Sequence, residues 1–132
     1  MLDRNTLLAT LDDAYARRAN GDKSALEDFW APGATFELAG EAHLLAAVPV
    51  GPAPASAAID RMIDLIRFHS FERLDALVEG NRVAIRWRIT ASARGGEPVE
   101  AELFDLWTFN DQYRATRLVQ FTDTALLASI LR

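Results

Sequence analysis

The sequence predicts an α+β domain with helices packed on one face of a curved, mixed but mainly antiparallel sheet. Three observations lead there. Helical apolar spacing fills the stretches around Leu7–Arg18 and Ile59–Ile66, whereas period-two alternation dominates from His69 to Thr122. Gly80-Asn81 and Gly95-Gly96 interrupt that alternation as hairpin signals. The resulting order, two helices, a strand, a helix and then successive strands, segregates the helices from a strand meander.

Each element has a local reason. Asn5 or Thr6 can cap the first helix, on which Leu7, Leu8, Leu11, Ala14, Tyr15 and Arg18 recur at helical spacing. Asn20-Gly21 closes it, because glycine tolerates the left-handed conformation found just past a helix end. Asp22 opens a short second helix with Leu26, Phe29 and Trp30 as its buried side, and Pro32-Gly33 stops it. Ala34–Leu38 reads as a short strand. Residues 39–55 hold Gly40, Pro49, Gly51, Pro52 and Pro54, which exclude a long helix or central strand. Leu44, Leu45, Val48 and Val50 are nonetheless apolar, so this loop is expected to cover a pocket mouth or a second subunit. Ser56 caps a third helix with the stripe Ile59, Met62, Ile63 and Ile66. Strands follow at His69–Glu79, Arg82–Ala93, Glu97–Phe109 and Arg114–Thr122, with Asn110-Asp111-Gln112 a weaker turn. Asp123 caps a last short helix.

The 132 residues suit one domain, 1–132, with a single sizeable core. Net charge is −5 and no run of Lys or Arg occurs, which argues against a nucleic-acid partner. No stretch reaches bilayer length, so no membrane partner is expected. Met1-Leu2-Asp3-Arg4-Asn5 lacks a signal-type apolar core, and cysteine is absent; a cytoplasmic location is the expectation. Glycine-rich phosphate loops, a serine elbow and dinucleotide fingerprints are missing, so no cofactor is expected. His43 and His69 are isolated from carboxylates at ligand spacing, so no metal is expected either.

One residue breaks the apolar pattern. In Val99–Phe109, alternation places Val99, Ala101, Leu103, Asp105, Trp107 and Phe109 on one strand face. A carboxyl among apolar neighbours must be paired, hydrogen-bonded or protonated. On the neighbouring strand Val83, Ile85, Trp87, Ile89 and Ala91 share a face, while Arg86 and Arg88 point away. Glu100 and Glu102 can pair with those arginines and pin the register. Phe104 and Leu106 share that outer face, which is expected to meet a second subunit in a homodimer.

The phrases Asn20-Gly21-Asp22, Phe29-Trp30-Ala31-Pro32-Gly33-Ala34-Thr35-Phe36, Phe104-Asp105-Leu106-Trp107-Thr108-Phe109 and Phe121-Thr122-Asp123-Thr124-Ala125 carry a resemblance. In that order they resemble the SnoaL-like and ketosteroid-isomerase-like members of the nuclear-transport-factor-two-like superfamily. The resemblance implies a cone-shaped fold enclosing a pocket between helices and sheet. It also implies acid/base chemistry there, of isomerase, cyclase or hydrolase type, although non-catalytic binders share the fold. Asp105 matches the strand position where ketosteroid isomerases keep a protonated acid as an oxyanion donor. Two positions depart. The isomerase base falls on Leu38, and its helix-one tyrosine falls on Ala14, with Tyr15 about 100° further round. The arginine–aspartate pairing of limonene-epoxide-hydrolase-like members is also missing, since Arg86-Trp87-Arg88 has no acid.

The expected site therefore centres on Asp105 as general acid or hydrogen-bond donor. The resemblance implies that Leu118 and Thr122 face inward, and Gln120 with them, where it can orient a ligand or else satisfy backbone groups at a sheet edge. Tyr15, Trp30, Trp87, Leu103 and Trp107 would line an apolar pocket for a small hydrophobic organic molecule. Aromatic residues at such positions also serve as ordinary core. His43 lies in the loop over the mouth, where histidines are commonly solvated. A purely structural Asp105 in a ligand-binding or dimerisation domain is the competing reading.

Overall fold

The computed structural model describes residues 2–40 and 53–131, so His43 and the apolar part of the 39–55 loop lie outside the described residues. The first helix, α1 (Arg4–Ala19), begins two or three residues earlier than a cap at Asn5 or Thr6 would place it. Its cap is Asp3, whose carboxylate accepts both the backbone N–H and the hydroxyl of Thr6 at 2.9 Å. Gly21, at φ +68°, ends it as anticipated. Asp22 does not open a helix; its carboxylate takes the Ser24 N–H at 2.8 Å and forms a turn. The helix that follows, α2 (Ala25–Asp28), is a single turn.

Trp30 is accordingly not a helical residue but the first of strand β1 (Trp30–Leu38). Pro32 and Gly33 interrupt this strand instead of stopping a helix: its register shifts between Trp30 and Thr35, and Gly33 sits at φ +76°. After β2 (Ala53–Pro54) comes α3 (Ala55–Leu65), which has no side-chain cap, Ser56 lying inside the helix. Ile66 leaves the expected helical stripe and opens β3 (Ile66–Glu79), remaining buried there. β4 (Arg82–Ala93) and β5 (Val99–Phe109) follow, β5 starting past Pro98, whose missing N–H cannot join a ladder. β6 (Ala115–Thr122) leads into α4 (Thr124–Ile130), which Asp123 caps by accepting the Leu126 N–H at 3.0 Å.

The described strands form one open sheet ordered β2-β1-β6-β5-β4-β3. Only β1 and β6 run parallel within it; the other pairs are antiparallel. Both strand faces separate as alternation requires. Val83, Ile85, Trp87, Ile89 and Ala91 are buried inward, under Leu7, Leu8, Leu11 and Tyr15 of α1. Outward, Arg86 Nε meets Glu102 at 2.6 Å and Arg88 lies 3.6 Å from Glu100. Such exposed pairs add little stability, but they disfavour a slipped register. No helix among the described residues is long and apolar enough to cross a membrane.

Candidate functional site

Strand alternation turns Asp105 into the interior, and the fold closes over it completely. Two donors meet its carboxyl group. Gln120 stands directly across the β5–β6 ladder, and its Nε2 donates to Asp105 Oδ1 at 2.9 Å. The Tyr15 hydroxyl, arriving from α1, donates to Oδ2. Tyr15 is held by stacking on Trp87, with ring centroids 4.1 Å apart and planes 21° apart, and by Phe68 and Phe71 at the ring's margins. The contact answers the departure at Ala14: the tyrosine one position along the helix delivers the hydroxyl.

Burial pushes the Asp105 carboxyl up from 3.8 to about 7. The Gln120 amide and the nearby Trp107 indole N–H pull the other way without cancelling it. Trp107 Nε1 has no partner at hydrogen-bond geometry, and neither has Trp87 Nε1, among the described residues. A buried N–H left so is costly by about 1–3 kcal/mol.

Among the described residues, Asp105 is on the wall of neither interior hollow. A hollow of about 70 Å³ lies on the helix side of its partners and is walled by Tyr15, Trp30, Trp107 and Gln120, together with Arg18 and Met62. A second hollow of about 40 Å³ lies toward α4 and includes Leu103. Met62, Phe68 and Gln120 border both, so these three side chains partition the interior. Trp87 is packed behind Tyr15 and is absent from both walls. The site thus consists of a buried acid with two cavity-facing intermediaries, Tyr15 and Gln120. A neutral Asp105 can pass its hydrogen to the tyrosine oxygen, leaving the tyrosine's own proton for an acceptor in the hollow.

Leu38, where a base would stand by counting, is fully buried and pairs with Gln120 across the parallel ladder. It belongs to neither hollow. His69, at a part-buried contact, has Nε2 2.8 Å from Ser92 Oγ. Among the described residues no cluster of three His, Asp or Glu side chains could hold a metal ion.

Sequence reasoning missed Arg18 as a site residue. The signal was present: a charged side chain falls on the apolar stripe of α1, three positions after Tyr15. Its Nη2 donates to the Met62 carbonyl at 3.1 Å, and its guanidinium lies 4.3 Å above the Phe68 ring. Burial pushes its pKa down to about 10.

A family model described as a SnoaL-like domain matches residues 11–118. No curated protein matches the chain. Similar solved structures include a nuclear-transport-factor-two-like protein from Burkholderia xenovorans LB400, at 19% identity, TM-score 0.74 and full coverage of both chains. A provisionally assigned SnoaL-like polyketide cyclase from Jannaschia sp. CCS1 has 14% identity and TM-score 0.71, over 99% of this chain and 97% of its own. A steroid delta-isomerase from Pseudomonas aeruginosa has 20% identity and TM-score 0.63, over 96% and 87%. At such identities the likeness establishes a shared fold.

Proposed function

The chain belongs to the SnoaL-like domain family, and from that premise we propose that its interior hollow binds a small, largely hydrophobic organic molecule and polarises one of its oxygens. The observation that carries this reading is the convergence of Tyr15 and Gln120, both on the cavity wall, upon one buried carboxyl group. With Asp105 protonated, Tyr15 can donate to a carbonyl or enolate oxygen while Asp105 donates to Tyr15. Charge growing on that oxygen is then stabilised by fixed donors in an apolar surround. Tyr15 would be the catalytic contact, and Asp105, which touches no ligand space, would position and polarise it. The donor set suits enolate-type, cofactor-independent chemistry.

A specific observation favours a second, non-catalytic reading. Leu38 supplies no base, so the donor set can bind an oxygen without any proton being abstracted beside it. We propose, further, that the chain is a cytoplasmic homodimer joined through the outer sheet face. Phe104 and Phe121 face each other across β5 and β6 there, 46% and 48% exposed.

The ligand reading is tested with 2-naphthol, a compact aromatic whose hydroxyl mimics an enol. Wild-type protein is expected to bind it with movement of the Trp107 indole N–H resonance. Tyr15→Phe should weaken binding at least tenfold. Equal affinity in the two proteins, or an unmoved Trp107 signal, overturns the reading.

A further inference from the structure

We infer that the ligand carries a carboxylate group, held by Arg18, which stands between the cavity and a basic groove. This inference rests on the proposed function, since it names the class of molecule that the same hollow takes. Arg18 lines both spaces. On its far side is a groove of about 340 Å³ that also includes Lys23, Arg67 and Arg94, with Asp64 as its one acid. The chain as a whole carries −5, so this cationic cluster runs against the overall balance.

Arg18 differs from Arg17 and Lys23, near it on the chain, in having no carboxylate partner among the described residues. Its neighbour Arg17 pairs with Asp13 at 2.9 Å and Asp28 at 2.6 Å. Lys23 pairs with Asp60 at 2.6 Å and Asp64 at 2.9 Å. Among the described residues no carboxylate comes within 4.0 Å of Arg18. Its partners are a carbonyl oxygen and the face of an aromatic ring, neither with a formal charge. Asp22 shares the cavity wall, but its carboxylate is engaged by the Ser24 N–H. A half-buried guanidinium without an anion is an unfavourable arrangement that a bound anion relieves. One Nη is committed to Met62, and the remaining N–H groups present a planar fork, which matches a carboxylate. The hollow beside it is apolar, so the fitting molecule is an aryl or alkyl carboxylate, with its acid at Arg18 and its body toward Trp107.

The test uses 3-phenylpropionate and its neutral amide, titrated into wild-type, Arg18→Gln and Arg18→Met proteins by calorimetry and tryptophan indole NMR. Wild type is expected to bind the carboxylate at least tenfold more tightly than the amide. Both variants should lose that preference, because the carboxylate loses at least tenfold in affinity and the amide much less. A wild type without preference, or a variant that keeps it, overturns the inference; if the amide still moves Trp107, the proposed function stands. Failure of both probes to move Trp107 overturns the inference, and the 2-naphthol titration then decides the proposed function by itself. Urea unfolding without ligand is the second readout, informative for whichever variant folds. An arginine reserved for a ligand leaves the variants as stable as wild type or more so, whereas a large loss in both would assign Arg18 to holding Met62 in place.

Discussion

Gln120 and Asp105 occupy opposed positions of β6 and β5, and the 2.9 Å bond from Gln120 Nε2 to Asp105 Oδ1 spans the ladder between them. The amide favours the charged carboxylate, and burial favours the neutral acid. Burial wins.

Removing the amide should let burial win further. Gln120→Leu is expected to raise the Asp105 pKa above its present value of about 7, as read from its carboxyl carbon resonance. The freed oxygen should also lower stability by about 1–3 kcal/mol. An unchanged or lower pKa would mean that the amide does not act on the charged form.

Asp105 should also leave a mark on the pH dependence of stability. Its folded pKa, about 7, lies above the ordinary 3.8, so the folded state holds a proton that the unfolded chain releases. The stabilisation is complete below about pH 4 and is lost as pH rises through 7. Relative to Asp105→Asn, wild-type protein should therefore lose several kcal/mol, on the order of 4, between pH 4 and pH 8. Asp22, Asp64 and Glu102, whose pKa values are lowered, act in the opposite direction but cancel in the comparison. Parallel urea-midpoint curves for the two proteins would remove Asp105 as a titrating group.

The outer aromatic pair sets the expected assembly. Phe104→Glu and Phe121→Glu should each convert a dimer to monomer in native mass spectrometry, with little change in monomer unfolding, because both side chains are about half exposed. A wild-type monomer, or variants that remain dimeric, would contradict the proposed interface.

Position 38 tests whether a base can simply be restored. Leu38→Asp places a carboxylate in a fully buried site outside both hollows, and stability should fall by about 3 kcal/mol or more. Unchanged urea stability, with new isomerisation of a β,γ-unsaturated ketone, would show that this position faces the ligand after all.

How much of this was legible beforehand depends on the range of the physics. Strand alternation is local, so the inward turn of Asp105 and the outward Arg86–Glu102 pairing followed from the order of residues. The Asp123 cap and the Gly80-Asn81 hairpin were equally local. Trp30 was misplaced because a Pro-Gly interruption of a strand looks, in sequence, like the stop of a helix. The Asp3 cap was missed because several polar residues could have satisfied the same N–H groups.

By itself, the order of amino acids determined which faces are apolar, where the chain turns, and that one acid points into the core. Tertiary structure alone decided what that acid meets. Tyr15 is separated from Asp105 by 90 positions, and its reach depends on the rotation of α1 against the sheet, which stacking on Trp87 settles. The same packing leaves Asp105 behind the cavity wall and brings Arg18 to its edge. Side-chain periodicity assigns a direction, but distances between remote elements arise only when the layers close.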